Sequence, residues 1–250
     1  MEVSFTKQEL DSIIKELKHM TRREAIRLVF KDEKPAHLYS SKLGGLPYYG
    51  GQLVYPFNSE GEPMPLLLQL NLEELNIPCA LPEKGLLQFF VSVFPMECKV
   101  IYQKDIDRSL DTVRPIPKAI PVFSEFALEF ESAGDYMFAF DRDFPEMLKK
   151  AVKAVTGKET EGNITDGFSD GDAKRLCDDF QANGSKLFGW PCFTQYDARE
   201  KGDERELLLQ LDSDGKHIMW GDWGVGNFFI KKEALERLDF TDVLFNWDCY

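Results

Sequence analysis

Four side-chain amides that lie inside strongly apolar runs are the first candidates for a functional role. A buried amide without a hydrogen-bond partner costs roughly 1–3 kcal/mol, so each must be bonded to the protein or to a ligand. Two interpretations are open. The amides form one symmetric network that satisfies backbone groups near a pseudo-two-fold axis, or they line a polar, ligand-binding pocket between two halves of the chain. The four amides are Gln69, Gln88, Gln210 and Asn227.

A second candidate binding site is the segment Trp220-Gly221-Asp222-Trp223-Gly224. Two indole rings beside one carboxylate, in turns that glycine permits, are typical of an exposed recognition loop or a stacking surface. The same residues are equally compatible with a structural role, in which Asp222 accepts backbone amides and the Trp rings fill the core. Trp220 and Asp222 are therefore candidate binding residues for a ligand or a partner.

The remaining chemically active side chains indicate neither a catalytic nor a metal site. No nucleophile elbow is present, and the five cysteines are scattered without a CxxC pair, which is typical of free thiols in a reducing compartment. We therefore predict no metal and no cofactor, assign no catalytic residue, and favour a protein that is not an enzyme. The three histidines lie in unrelated contexts without metal-ligand spacing: His19, His37 and His217.

The sequence segments that must position these amides occur as an internal repeat. Ser41-Lys42-Leu43 recurs as Ser185-Lys186-Leu187, and the apolar runs around the amides recur in the same order. The spacing between copies shrinks only between these blocks, as expected if strands are kept and loops are trimmed. We predict an α+β fold of internally duplicated antiparallel β-sheets with peripheral helices, in which two pseudo-symmetric halves form one compact unit. The predicted single domain spans 1–250, with halves at about 22–105 and 122–250 joined through about 106–121.

Local signals predict individual elements around these copies. Thr6 and Glu9 form a capping box, and apolar residues at helical spacing follow, which predicts an amphipathic helix over about 6–20. The apolar run 207–211, followed by turn residues and then by the apolar run 217–220, predicts a β-hairpin.

Composition limits the classes of partner. The chain of 250 residues carries a net charge of −13, which disfavours nucleic acid and anionic membranes and permits a basic protein partner. No apolar run reaches the length of about 20 residues that a membrane-spanning helix needs. The N-terminal residues resemble no secretory signal, so we expect a cytoplasmic protein. Nothing in the sequence indicates an oligomeric state.

With these blocks in view, the chain resembles the YwqG-like family of bacterial proteins. The resemblance implies a single-chain α+β fold with duplicated antiparallel sheets and an uncharacterised function, so it assigns no catalytic residue. Relatives are associated with bacterial toxin–immunity loci. Trp223 departs from the family pattern, which has a small residue there. The matching motifs stand at Ser41–Tyr48, Leu66–Leu75, Leu81–Phe90, Trp220–Ile230 and Asn246–Tyr250.

Two functional hypotheses from different classes follow. The favoured one is a non-catalytic protein-binding module. An immunity-type protein, which sequesters a basic partner, is one form of it. The alternative is a small-molecule-binding protein or an enzyme whose site is a polar pocket between the two halves.

Overall fold

One antiparallel sheet of ten strands forms the centre of the fold. The computed structural model describes residues 5–50, 54–109, 123–159 and 168–250. The strands over these residues are β1 Arg23–Lys31, β2 Lys42–Leu43, β3 Leu66–Asn71, β4 Leu86–Ser92, β5 Glu97–Gln103, β6 Phe126–Asp135, β7 Lys186–Phe188, β8 Glu206–Asp212, β9 Val225–Ile230 and β10 Leu244–Asp248. The helices over the same residues are α1 Lys7–Thr21, α2 Leu72–Leu75, α3 Phe144–Thr156, α4 Asp170–Asp179 and α5 Lys232–Glu236.

The order of the strands ties two groups of four into this sheet. We call residues 41–103, with β2 to β5, block A, and residues 185–248, with β7 to β10, block B. The order is β10-β9-β8-β7-β1-β6-β2-β3-β4-β5. β1 precedes block A in the chain but pairs with the first strand of block B, and β6 precedes block B but pairs with the first strand of block A. Neither block can therefore separate from the other without breaking strand pairing.

The inner face of the sheet encloses one hydrophobic core that both blocks share. Leu68 and Leu87 of block A belong to the same buried cluster as Leu209 of block B. The rings of Phe89 and Phe228 meet at its centre with a centroid distance of 5.2 Å. The sheet curls until its two edges approach each other, where the Cys98 thiol on β5 lies 3.5 Å from the Val243 carbonyl oxygen.

A second hydrophobic cluster holds the helices α1, α3 and α4 against one another. The predicted N-terminal helix is confirmed as α1: Thr6 accepts from the amide of Glu9, and the Glu9 carboxylate accepts from the amide of Thr6. The apolar side of α1 packs with α3 and α4, including Leu17 and Leu148, which are both fully buried. Helices α2 and α5 instead contribute Leu75 and Leu235 to the core that the blocks share. The mixed α+β class predicted from the sequence is confirmed.

Three sequence predictions need correction or fall outside the described residues. The strands form one continuous sheet rather than separate sheets. The predicted hairpin partner 217–220 is wrong, because the strand that pairs with β8 is β9. The Asp214 carboxylate accepts the amides of Lys216 and His217, which fixes a turn where we expected a strand. Most of the predicted connection 106–121 lies outside the described residues. Within those residues, no helix has both the length and the apolar character needed to cross a membrane.

Candidate functional site

Gln69 and Gln88 form a buried amide network on the outer face of block A. They are paired residues on β3 and β4, and the neighbours Leu68 and Leu70 belong to the inner core, so alternation turns Gln69 outward. The Gln69 amide donates to the carbonyl oxygens of Leu38 and Ser40, each at 2.9 Å. Its oxygen accepts from the Tyr48 amide at 2.9 Å and from Gln88 Nε2 at 2.8 Å. Three of these four bonds fasten the covering segment 38–48 to the sheet, and the fourth joins Gln69 to Gln88.

Gln88 makes three side-chain hydrogen bonds, one of which is the bond to Gln69. Its amide nitrogen also donates to the Tyr48 carbonyl oxygen at 2.9 Å, and its oxygen accepts from Gln103 Nε2 at 2.6 Å. Both glutamines are fully buried.

Gln210 occupies the matching place in block B. Its amide donates to the carbonyl oxygens of Ala182 and Gly184, at 3.0 and 2.9 Å, and its oxygen accepts from the Cys192 amide at 2.8 Å. Asn227 pairs with Gln210 across β8 and β9 and donates to the Cys192 carbonyl oxygen at 2.8 Å. Its side chain is shorter than that of Gln88. Among the described residues, its buried Oδ1 atom has no hydrogen-bond partner.

The four amides therefore belong to two separate networks. The partners of Gln69 and Gln88 lie between residues 38 and 103, and those of Gln210 and Asn227 lie between residues 182 and 227. All four amides make hydrogen bonds within the protein, as the structural interpretation expects, but the expectation of one network near a central axis is wrong. The amides also do not converge on a polar pocket between the halves, because each pair faces away from the core that the blocks share.

A buried lysine adjoins each network, and the sequence analysis missed both. Lys42 lies beside Gln69 across β2 and β3, and Lys186 lies beside Gln210 across β7 and β8. Their side chains are 1% and 6% exposed. Burial lowers the pKa of both ammonium groups. The repetition of Ser-Lys-Leu in both copies was the signal that could have identified them.

Carboxylates from opposite ends of β6 neutralise these lysines. Glu125, just before β6, accepts from Lys42 Nζ at 3.0 Å, and Asp135, at its end, accepts from Lys186 Nζ at 2.7 Å. A glycine at positive φ gives each carboxylate its space: a Cβ atom at Gly45 would overlap Glu125. The carboxylates at the two ends of β6 thereby link it to both blocks by charge, whereas its backbone pairs with β2 of block A and with β1.

Within the Trp220–Gly224 segment, one Trp fits the structural role and the other fits the exposed recognition loop that the sequence suggested. Trp220 is buried and stacks on Trp247 with a centroid distance of 5.9 Å, so its ring fills the core. Trp223 is 54% exposed and has φ 56°, in the left-handed region that bulky residues rarely adopt. Asp222 is exposed, and its backbone oxygen accepts from the Tyr250 amide at 3.2 Å. This segment thus holds one core indole and one exposed indole.

Trp223 stands at the rim of a groove of about 310 Å³ on the outer face of block B, which we call the aromatic groove. Two more exposed rings, Phe140 and Tyr250, belong to the same lining. Further residues that line it are Phe138, Phe193, Cys192, Val225, Asp178 and Asp212. The groove thus borders the network of Gln210 and Asn227 through Cys192 and Val225.

The charged residues that line the aromatic groove are both acids. Asp212 is half-buried, accepts from the Gly184 amide at 2.7 Å, and has a pKa raised by burial. Asp178 is exposed and pairs with Lys174 at 2.7 Å. No Lys or Arg occurs among the described lining residues. The groove therefore combines aromatic surfaces with negative charge, which suits a cation.

The site offers little that indicates covalent catalysis. Burial raises the pKa of the Cys192 thiol to about 12, so the thiolate nucleophile is scarce at neutral pH. His217 lies between two carboxylates, with Nδ1 at 2.6 Å from Asp214 and Nε2 at 3.2 Å from Asp32. Over the described ranges, His217 makes no hydrogen bond to a Ser, Thr or Cys side chain.

Comparison with known proteins gives a family and no activity. No curated protein matches this sequence. One family model matches residues 41–249, a range that includes both blocks, the four buried amides and Trp223. The chain belongs to that family, which is described as a domain of unknown function, DUF1963.

Proposed function

We propose that this protein is a non-catalytic binding module that holds a basic segment of a partner protein in the aromatic groove of block B. The observation that carries the proposal is the groove itself, whose lining includes three exposed aromatic rings and two carboxylates. A Lys or Arg side chain between such rings gains cation–π attraction of about 0.5–2 kcal/mol, together with the field of the acids.

The conformation of Trp223 supports a binding role for its ring. A non-glycine residue in the left-handed region costs about 1–2 kcal/mol, and 54% of the Trp223 surface nevertheless stays exposed. Strained residues and exposed aromatic rings at the edge of a concave surface are both typical of binding sites. Trp223 is also the residue that departs from the pattern of the YwqG-like proteins that this chain resembles.

Charge supports the same class of partner. A net charge of −13 attracts basic proteins over long distances and repels nucleic acid and anionic membranes. The proposal includes a cytoplasmic location, an origin of blocks A and B by internal duplication, and immunity-type sequestration as one form that such binding takes. The matching hydrogen bonds of the two blocks support the duplication. The alternative of a polar pocket between the halves has less support, because the amides divide between two outer faces.

Titration with a short lysine peptide tests this proposal. We expect tetralysine to bind at low salt and to weaken as salt rises, and its fully acetylated form to bind much more weakly, because acetylation removes the cation. Trp223→Gly should weaken tetralysine binding roughly three- to tenfold while the fold is kept. Phe94→Ala, which removes an exposed ring outside the groove, is the matched control. Equal binding of both peptides, or equal effects of both variants, would contradict the proposal.

A further inference from the structure

The two buried lysines differ in how completely their ammonium groups are bonded. An ammonium group has three N–H donors. Lys186 Nζ donates to Asp135 at 2.7 Å and to the Ala182 carbonyl oxygen at 2.6 Å. Among the described residues, Lys42 Nζ has Glu125 as its one acceptor, at 3.0 Å. Lys42 is as deeply buried as Lys186, but more of its N–H donors lack an acceptor among the described residues. A buried donor without an acceptor costs free energy unless another acceptor is present.

Lys42 also lines a large cavity. The cavity has a volume of about 730 Å³, within the range of small-molecule sites. Lys34, His37 and Glu125 also line it, so with His37 neutral the charged lining carries one net positive charge. Phe123 and Phe126 supply apolar surface. This is a local positive site on a chain whose net charge is −13.

We infer that the cavity beside Lys42 binds a small organic monocarboxylate with an apolar body. One carboxylate balances the net charge of the lining and accepts from the donors that Lys42 keeps. A dianion would exceed that charge and would lie close to Glu125. The hydrocarbon part of the ligand would pack against Phe123 and Phe126. This site is separate from the aromatic groove and does not depend on the proposed function.

Binding of phenylacetate, measured by titration calorimetry, tests the inference. Its uncharged analogue phenylacetamide and inorganic phosphate are the comparison ligands. We expect phenylacetate to bind with a dissociation constant of about 1 mM or lower, and both comparison ligands to bind at least about tenfold more weakly. No saturable heat with phenylacetate, or equal affinity for phenylacetamide, would overturn the inference.

Paired variants locate the site. Lys42→Met combined with Glu125→Gln removes both members of one ion pair, so that no buried charge is left alone. Lys186→Met combined with Asp135→Asn does the same in block B and serves as the matched control. We expect the first pair of changes to weaken phenylacetate binding more than about tenfold and the second to leave it unchanged. Lys34→Gln, an exposed change, should weaken binding about threefold even if the double variant does not fold. Unchanged binding in Lys34→Gln, or in a folded block A double variant, would overturn the inference.

Discussion

Blocks A and B share a hydrogen-bonded frame but differ at the places where a ligand or partner would bind. In both, a serine hydroxyl accepts a backbone amide of the neighbouring strand: Ser41 from Asn71 at 2.9 Å, and Ser185 from Asp212 at 3.0 Å. In both, a glutamine fastens the covering segment to the sheet. Contacts that occur twice in this way are explained by the fold alone.

The differences between the blocks are more informative about function. Asn71 caps α2 by accepting from the Glu73 amide, whereas its counterpart Asp212 lines the aromatic groove. Lys186 has two acceptors, whereas Lys42 has one and lines a cavity. We conclude that the unrepeated features are the best candidates for binding sites, and the following changes test that division.

The largest expected effect is on the buried ion pairs. Lys186→Met leaves Asp135 buried without its cation and should lower the free energy of unfolding by about 3–5 kcal/mol. Lys42→Met should cost less, because Lys42 makes one bond and Glu125 is more exposed than Asp135. Urea unfolding of both variants measures the difference. An equal or greater loss in Lys42→Met would mean that the two lysines are bonded alike.

The glutamines test whether the two networks are independent. Gln69→Leu removes four hydrogen bonds, and Gln210→Leu removes three, so each change should cost about 3 kcal/mol. Their effects should add in the double variant, because the networks share no residue. Gln69→Leu combined with Gln88→Leu should not be additive, since these side chains are bonded at 2.8 Å. Strong coupling between Gln69 and Gln210 in urea unfolding would contradict two separate networks.

Smaller losses of stability are expected from changes at Gln88 and Asn227, and the two losses should differ. Gln88→Leu leaves the Tyr48 carbonyl oxygen, Gln69 and Gln103 each short of a bond, and should cost about 2 kcal/mol. Asn227→Leu loses one bond but also removes the buried oxygen that lacks a partner, so the net change should stay within about 1 kcal/mol. Thermal unfolding of both variants measures the contrast, and a larger cost for Asn227→Leu would show that its oxygen is bonded.

Much of the fold could be predicted from the sequence, because apolar runs and capping patterns are local signals. The buried runs around Gln69 and Gln210 became β3 and β8, and the capping box at Thr6 began α1. The pairing of β1 with β7 and of β6 with β2 could not be predicted, because it depends on strands far apart in the chain.

The candidate sites were harder to predict, because they depend on which way side chains point. Gln69 and Trp220 were identified from their unusual positions, yet both proved to have structural partners. Lys42 was missed, because only the repetition of Ser-Lys-Leu pointed to it and nothing local shows that a two-residue strand will bury it. Asp212 was explained as a turn residue, and its place beside Trp223 follows only from the packing of block B.

The central claim is that the two blocks share a structural frame and that features found in one block alone form the binding sites. A substitution at Asp212 tests this claim most directly. Asp212→Asn gives block B the residue that block A has at Asn71, and tetralysine binding and urea unfolding are then measured on the same protein. Because burial raises the pKa of Asp212, its ionised form disfavours the folded state, so at pH 7 the Asn variant should be equally stable or more stable. The stability that the protonated form of Asp212 contributes is fully present at low pH and is lost as the pH rises through the raised pKa. We predict weaker tetralysine binding with no loss of stability. Unchanged binding together with a clear loss of stability would show that Asp212 belongs to the frame, and would contradict the account.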